Sequence, residues 1–529
     1  MFVIICAALV ACVVLTIGPP IFRYFQDLKG FRKYPSQNPL SGFTNFAYGM
    51  EKWRSHRYFQ TERLHHQLLK HPVVRLGPNW LSFRSSQAVK DIYGYTSQCS
   101  KGPLYDALQG GGQNLVLISD RGLHSSRRKM VASAYAPKQI EKWEPMVAET
   151  TSILVSKMDA LCTTPLITGT TGVPCKEDLT FDGNWWALLY CFEGATKIGL
   201  SKDLGFIAQG SDLIQIQHPD GKVEKVNLIE CARGGASAAS TLVYDTPNFP
   251  TFIKLSKLIS PWYAGNWAKG AKWRAAVEYI TKERIERQDN GEVLDDLLGP
   301  MIEDPKTGAE ADINVADRYS EVEQIVNGGG DGPGISLTNT LYYLIKNPET
   351  MTRLRAELDE VLAPEDVVAP WSKLKNLSYL RACVDESMRL SPPIATNLTR
   401  RTPPNRPSKI ADEVVPPNTV VSISAYTAHR DPEIFPDPEA FKPERWLMKG
   451  DDRLRNMLAV YIAFSAGSRA CIGRNVTILM QFVYLATLIT RYEFALPNPD
   501  WEMKWRDYFN LWPEELPLKI WRRERQASA

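Results

Sequence analysis

Phe464-Ser465-Ala466-Gly467-Ser468-Arg469-Ala470-Cys471-Ile472-Gly473 is the stretch on which the reading of this chain turns. It has the form F-x-x-G-x-R-x-C-x-G and runs into an apolar helical pattern over residues 476–489. Five fixed positions of this kind coincide by chance in roughly one chain in ten thousand of this length. Glycines at 467 and 473 let a tight loop behind Phe464 bring backbone N–H groups toward the sulfur of Cys471. The helix N-terminus that follows favours negative charge there. Arg469 can pair with an anionic group on a ligand. A thiolate presented in this way suits a haem iron, and the competing reading is a structural cysteine beside an incidental turn.

Two further motifs precede this loop in order. Glu386-Ser387-Met388-Arg389 has the form E-x-x-R, and Pro443-Glu444-Arg445-Trp446 has the form P-E-R-W. E-x-x-R alone is weak, since Glu51-Lys52-Trp53-Arg54 also fits it as a surface i,i+3 pair. In this order and spacing the three motifs resemble the cytochrome P450 family of haem-thiolate monooxygenases over nearly the whole chain. The resemblance implies a mainly α fold with small β-sheets, in one large domain over residues 46–529. It implies haem (iron protoporphyrin) as cofactor, Cys471 as the metal ligand, and Phe464, Gly467, Arg469 and Gly473 as its loop. It also implies that Glu386, Arg389 and Arg445 form a buried charge network, one that favours structural specificity more than net stability. His124-Ser125-Ser126-Arg127-Arg128-Lys129 opens a helix and is similar to the family's W/H-x-x-x-R at the haem edge. His124 and Arg128 share a helix face at i,i+4. Arg400 resembles a third haem-carboxylate contact, with Arg401 an equal alternative.

A long helical pattern over residues 319–346 should cross the haem, and here the sequence departs from its relatives. Where the family has [AG]-G-x-D-T-[TS], this chain reads Gly328-Gly329-Gly330-Asp331-Gly332-Pro333. Asp331 is the expected catalytic acid, but the neighbouring threonine, which orients water and passes protons, is replaced by Gly332. Pro333 lacks an N–H and clashes toward the carbonyl of Gly329, so a bulge or kink is expected. A water in place of the hydroxyl is one reading of this change, and altered oxygen chemistry is the other.

The 529 residues carry 62 Lys+Arg against 59 Asp+Glu, a net charge of +3, which leaves no basic stripe for nucleic acid. Nine cysteines with no C-x-x-C exclude a disulfide framework or zinc ribbon and suggest a reducing compartment. His65 and His66 read as a solvated helix edge. Residues 2–18 carry no charge, and the run to Phe22 is about 21 residues, or roughly 32 Å of helix, enough to span a bilayer. Arg23, Lys29, Arg32 and Lys33 follow, so the bulk of the chain should stay cytosolic. The expectation is a single-pass anchor over 1–22 in the endoplasmic reticulum membrane, then a basic, proline-containing linker over 23–45. Other helical patterns cover 138–160, 272–287 and 377–390. Trp80–Phe83 and 420–424 alternate like half-buried strands, and the proline-rich 391–443 reads as short strands and loop.

No G-x-G-x-x-G occurs, so no flavin or nicotinamide domain is fused here. The leading expectation is an enzyme that takes electrons from a separate NADPH-dependent reductase, activates O2, and oxidises a small aromatic or apolar substrate. By position in the family, 101–120, 328–332, 393–398 and 508–510 should face that substrate. Residues 80–90 and 124–135 look like fungal secondary-metabolism members, some of which hydroxylate and some of which couple phenols or close rings oxidatively. Two alternatives stand beside this: a reductase-independent isomerase, dehydratase or peroxygenase, and a non-catalytic haem- or sterol-binding membrane protein.

Overall fold

The structure, a computed structural model, describes residues 17–53, 61, 64–65, 70–166, 173–218 and 220–524. Helices dominate, and several of them start where the sequence supplies a side-chain cap. The N-terminal part contributes α1 (Ser86–Tyr93), α2 (Pro103–Leu108), α3 (Arg121–Val131) and α4 (Ile140–Leu161). Next come α5 (Gly183–Leu200), α6 (Leu228–Leu242), α7 (Phe249–Ile259) and α8 (Pro261–Asp289). The C-terminal half adds α9 (Val315–Lys346), α10 (Pro348–Val361), α11 (Ser378–Leu390) and α12 (Arg474–Arg491). Side chains of Ser85, Asp120, Ser260 and Asn314 accept the first free N–H groups of α1, α3, α8 and α9. α5 and α12 are apolar nearly all round and accordingly form the centre of the core.

A five-stranded sheet lies at one edge, built from β1 (Val73–Gly77), β2 (Trp80–Phe83), β3 (Ser100–Lys101), β4 (Arg400–Arg401) and β5 (Val420–Ser422). Its order is β1-β2-β5-β4-β3, with β5 parallel to β2 and the other pairs antiparallel. β2 is buried on both faces rather than half-buried, because one apolar cluster covers Leu81 and Phe83 and another covers Trp80. A hairpin of β6 (Trp505–Asp507) and β7 (Leu511–Pro513) closes against α9.

Three expectations change on folding. His65 is buried rather than solvated: Nδ1 lies 2.8 Å from the His71 carbonyl and Nε2 3.2 Å from Ser82 Oγ. α9 continues as helix from Val315 to Lys346 with Pro333 inside it, rather than being interrupted there. The stretch expected as a linker is packed onto the sheet. Lys29 Nζ donates to Asn79 Oδ1 (2.7 Å) and to the Pro417 and Asn418 carbonyls (3.0 Å each), and Phe31 is buried. Residues 17–26 are helical, and the first sixteen positions of the expected anchor lie outside the described residues. No helix among the described residues is long and apolar enough to cross a membrane.

Candidate active site

The loop before α12 is shaped by its glycines as the spacing requires. Gly467 has φ +67°, and a Cβ there would stand 2.1 Å from the Tyr93 carbonyl oxygen, so only glycine fits. Cys471 N donates to the Phe464 carbonyl at 2.9 Å, which closes the loop. Its side chain is exposed, whereas Cys99, Cys191, Cys231 and Cys383 are buried. A Cβ on Gly473 would stand 4.0 Å from the Cys471 sulfur. Cys471 keeps accessible surface on one side, but the protein packed around its loop desolvates the sulfur and pushes the thiol up. The N–H groups of Gly473 and Arg474, with the charges of Arg128 and Arg474, pull it back toward the thiolate.

Around this loop gathers a set of basic side chains to which, among the described residues, no carboxylate is hydrogen-bonded. The β3–β4 register sets Lys101 opposite Arg400, two like charges side by side in a buried sheet. Both lie against the Tyr105 ring, at 4.1 and 5.9 Å, and Arg400 also lies 4.9 Å from the Tyr93 ring. His124 and Arg128 come from one face of α3, and Arg469 from the cysteine loop. The hydrogen bonds of Lys101, Arg128, Arg400 and Arg469 go to backbone carbonyls: Val116, Ala470, Thr399, and Ile118 to Asp120 respectively. Among the described residues none of the five is ion-paired to a carboxylate. Burial, then Arg400 and Arg469, hold Lys101 well below its usual value. Burial and the neighbouring cations push His124 down to about 3 and Arg469 down to about 10. Such a cluster is costly without a multiply charged anion and favourable with one. The two carboxylates of a haem meet that need, so the residues present fit the group. Arg400 is the buried member of the Arg400/Arg401 pair. Lys101 was missed by the sequence reading, since a two-residue strand carries no periodic signal.

Asp331 is buried on α9 and its carboxylate accepts four hydrogen bonds. Arg233 Nε and Nη2 reach Oδ1 at 2.9 and 2.8 Å, and Asn510 Nδ2 and Trp512 Nε1 each reach Oδ2 at 2.6 Å. The Arg233 guanidinium also lies 4.8 Å from the Trp512 ring. Arg233 and Trp512 form part of the wall of a solvent-open cavity of about 950 Å³, with Trp185, Ser237 and Tyr508. Asp331 is thus one side-chain layer from water. Nothing in the sequence near Arg233, 98 residues upstream, announces this pairing.

The charge network expected from E-x-x-R and P-E-R-W is assembled. Glu386 accepts Arg389 at both oxygens (2.9 Å each), Arg445 Nε at 3.0 Å, Lys442 N at 2.9 Å and Trp446 Nε1 at 2.9 Å. Arg389 gives its remaining donors to the carbonyls of His429, Pro438 and Ala440, which pins the proline-rich stretch to α11. In α3, Arg127 points away from His124 and pairs with Asp317 (2.9 Å) and Glu321 (3.1 Å) of α9. Of the segments expected to face substrate, Leu108 and Leu117 share one apolar cluster with Phe509. Leu511 N donates to the Pro393 carbonyl at 2.8 Å.

Comparison with known proteins agrees with this geometry. The family model described as Cytochrome P450 matches residues 246–514. Cytochrome P450 monooxygenase poxM of Penicillium oxalicum is 26% identical over 483 residues, covering 89% of this chain and 86% of that protein. Benzoate 4-monooxygenase bphA of Aspergillus niger is 27% identical over 500 residues, covering 93% and 92%. Among solved structures, the cytochrome P450DA heme domain superposes with TM-score 0.71 at 18% identity, covering 93% of this chain and 98% of that one. With a family match over more than half its length and a fold shared almost end to end, this chain belongs to the cytochrome P450 family, the haem-thiolate oxidoreductases.

Proposed function

We propose that this enzyme holds its haem through Cys471, within the loop shaped by Phe464, Gly467 and Gly473, and seats the haem carboxylates among Lys101, His124, Arg128, Arg400 and Arg469. The observation that carries this reading is the cross-strand pair Lys101–Arg400, two buried basic side chains that have no carboxylate partner among the described residues. When bound, the haem supplies the one-electron and dioxygen chemistry of the reaction. The chain's own residues do the rest. Asp331 is the proton-handling group, and a proton reaches either of its oxygens only when Arg233, Asn510 or Trp512 lets go. Phe509, Leu108 and Leu117 supply an apolar wall that excludes water and suits a small aromatic or apolar secondary metabolite.

Electrons come from a separate NADPH-dependent reductase, and the overall outcome is hydroxylation of the substrate. The likeness to a benzoate 4-monooxygenase supports an aromatic ring as the acceptor. Oxidative phenol coupling is the second reading, since the segments 80–90 and 124–135 resemble fungal secondary-metabolism members, some of which hydroxylate and some of which couple phenols, and in coupling the orientation of two rings carries the specificity. Residues 1–22 anchor the enzyme in the endoplasmic reticulum membrane with the catalytic domain cytosolic. An exposed apolar ridge supports a membrane setting. Leu258 and Ile259 are 82% and 79% exposed, and nearby rings pair as Phe46–Phe252 and Trp53–Trp262 at 5.8 and 5.2 Å.

Turnover of a panel of aromatic acids and phenols under labelled dioxygen tests the reaction. One labelled atom in the product supports hydroxylation, and an unlabelled coupled product replaces it with phenol coupling. Turnover with peroxide alone, and none with a reductase, overturns the reductase-dependent reading. Cys471→Ala should abolish the thiolate-type carbon monoxide spectrum, and a normal spectrum from it would move the iron elsewhere.

A further inference from the structure

α9 has two unlike faces around Asp331. Gly329, Gly330 and Gly334 lie against α5, where Cβ atoms would come within 2.9 Å of Ala195, 2.5 Å of Phe192 and 2.9 Å of Leu188. Gly332 follows Gly330 by two residues, about 200° around the helix, and faces the other way. Apart from its chain neighbours and the backbone of α9 itself, no atom of the described residues lies within 4 Å of where its Cβ would stand. The open space here is the one that the missing threonine side chain would otherwise enter.

Pro333 then acquires a meaning beyond its effect on helix shape. It has no N–H, so the carbonyl of Gly329, four residues earlier, receives no hydrogen bond from position 333 although the helix continues. In α-helical geometry a carbonyl oxygen lies close to the Cα three residues on, which here is Gly332. The absent side chain at 332 therefore uncovers the acceptor that Pro333 sets free. Gly328 is exposed and Gly329 and Gly332 are half-buried, so the carbonyl borders space that water can enter. An under-satisfied carbonyl in a confined, wet space is a binding point for an ordered water.

We propose that the Gly332-Pro333 pair replaces the family's threonine by a different route: the carbonyl of Gly329, freed by Pro333 and uncovered by Gly332, fixes a water that passes protons from Asp331 toward the haem. Pro333 is on this account a positioning residue. The inference rests on the monooxygenase reading above for the need of a proton path. Its test is separable from that reading, because it can be read without any organic substrate.

The experiment uses the full-length haem enzyme with its reductase. Pro333→Ala returns an N–H that re-engages the Gly329 carbonyl. The expected result is a rise of roughly twofold or more in the share of reducing equivalents released as hydrogen peroxide, with a larger solvent deuterium isotope effect. The substrate-free ferric absorption spectrum should shift toward high spin, as the water network beside the iron loosens. The double variant Gly332→Thr/Pro333→Ala should bring the peroxide share back toward the parent, because it supplies a hydroxyl in a normally bonded helix. An unchanged peroxide share, isotope effect and resting spectrum in Pro333→Ala overturns the proposal. So does a double variant that leaks as much peroxide as Pro333→Ala alone. A folding defect is recognised by loss of the thiolate carbon monoxide band, and Pro333→Ser, which also restores the N–H, then serves as the second test with the same outcomes.

Discussion

Arg233 of α6 grips Asp331 of α9 with two guanidinium nitrogens on one carboxylate oxygen, at 2.9 and 2.8 Å, while Asn510 and Trp512 hold the other oxygen. The candidate proton donor of the site is therefore locked by three donors from two elements. Removing Arg233 as Arg233→Met strands a buried carboxylate and should cost about 3–5 kcal/mol of stability. Asp331→Asn keeps the shape and loses the charge. It should slow oxygen activation and raise peroxide release, and unchanged coupling of oxygen use to product in that variant would remove Asp331 from the proton path. Thermal melts and peroxide assays on the two variants separate structural from functional effects.

Lys101 is a buried cation whose hydrogen bond goes to a carbonyl and whose cross-strand neighbour is another cation. In haem-free protein this arrangement opposes folding, and with haem carboxylates present it favours retention. Lys101→Met should stabilise the haem-free protein by about 1–3 kcal/mol and lower haem affinity at the same time. Unfolding of the haem-free form and the rate of haem transfer to an acceptor protein measure the two effects. Opposite signs are the expected outcome.

Glu386 is fully buried and accepts from Arg389, Arg445, Lys442 and Trp446, so Glu386→Ala leaves two guanidinium groups without their anion. The cost should be about 3–5 kcal/mol. Since Arg389 also ties down the carbonyls of Pro438 and Ala440, the variant should lose haem content as well as stability. The ratio of haem absorbance to protein absorbance after purification reads this directly.

Glu321 is pushed up to about 7 by burial, against the pull of Arg127 and the Leu115 N–H. Below its ordinary value of 4.5 both folded and unfolded chains hold the proton. Between 4.5 and about 7 the unfolded chain has released it and the folded chain has not, so stability falls as pH rises through that window and is flat above it. The slope contributed by one group is at most about 1.4 kcal/mol per pH unit. Glu321→Gln has no proton to release, and Arg127 keeps its pair with Asp317 at 2.9 Å. The variant should therefore gain on the parent between pH 4.5 and 7 and remain more stable at pH 8, as read by melting temperature across pH.

What the sequence alone determined were features that act over short distances. Gly467 is required by a positive φ and a carbonyl 2.1 Å from any Cβ, and Cys471 sits in the loop that glycine makes possible. His124 and Arg128 share a face by helical spacing, and Glu386 and Arg389 are one turn apart, so their pairing is written in the i,i+3 geometry. The apolar run over residues 476–489 marked α12 as a helix before any packing was known. Tertiary structure alone decided relationships between residues far apart in the chain. The partner of Asp331 is Arg233 because α6 crosses α9, and no local pattern encodes a contact across 98 residues. Lys101 faces Arg400 because a two-residue strand docks beside another, too short to show a period of its own. His65 looked like a solvated edge because its helix position was visible, and the Ser82 hydroxyl that buries it was not. Pro333 was expected to distort α9 from its own chemistry. What happens there depends on Ala195, Phe192 and Leu188 pressing on one face and on the open space at Gly332 on the other. Backbone conformation and side-chain periodicity are local and can be read from neighbours, whereas burial and charge pairing are set by whichever distant surfaces the fold brings together.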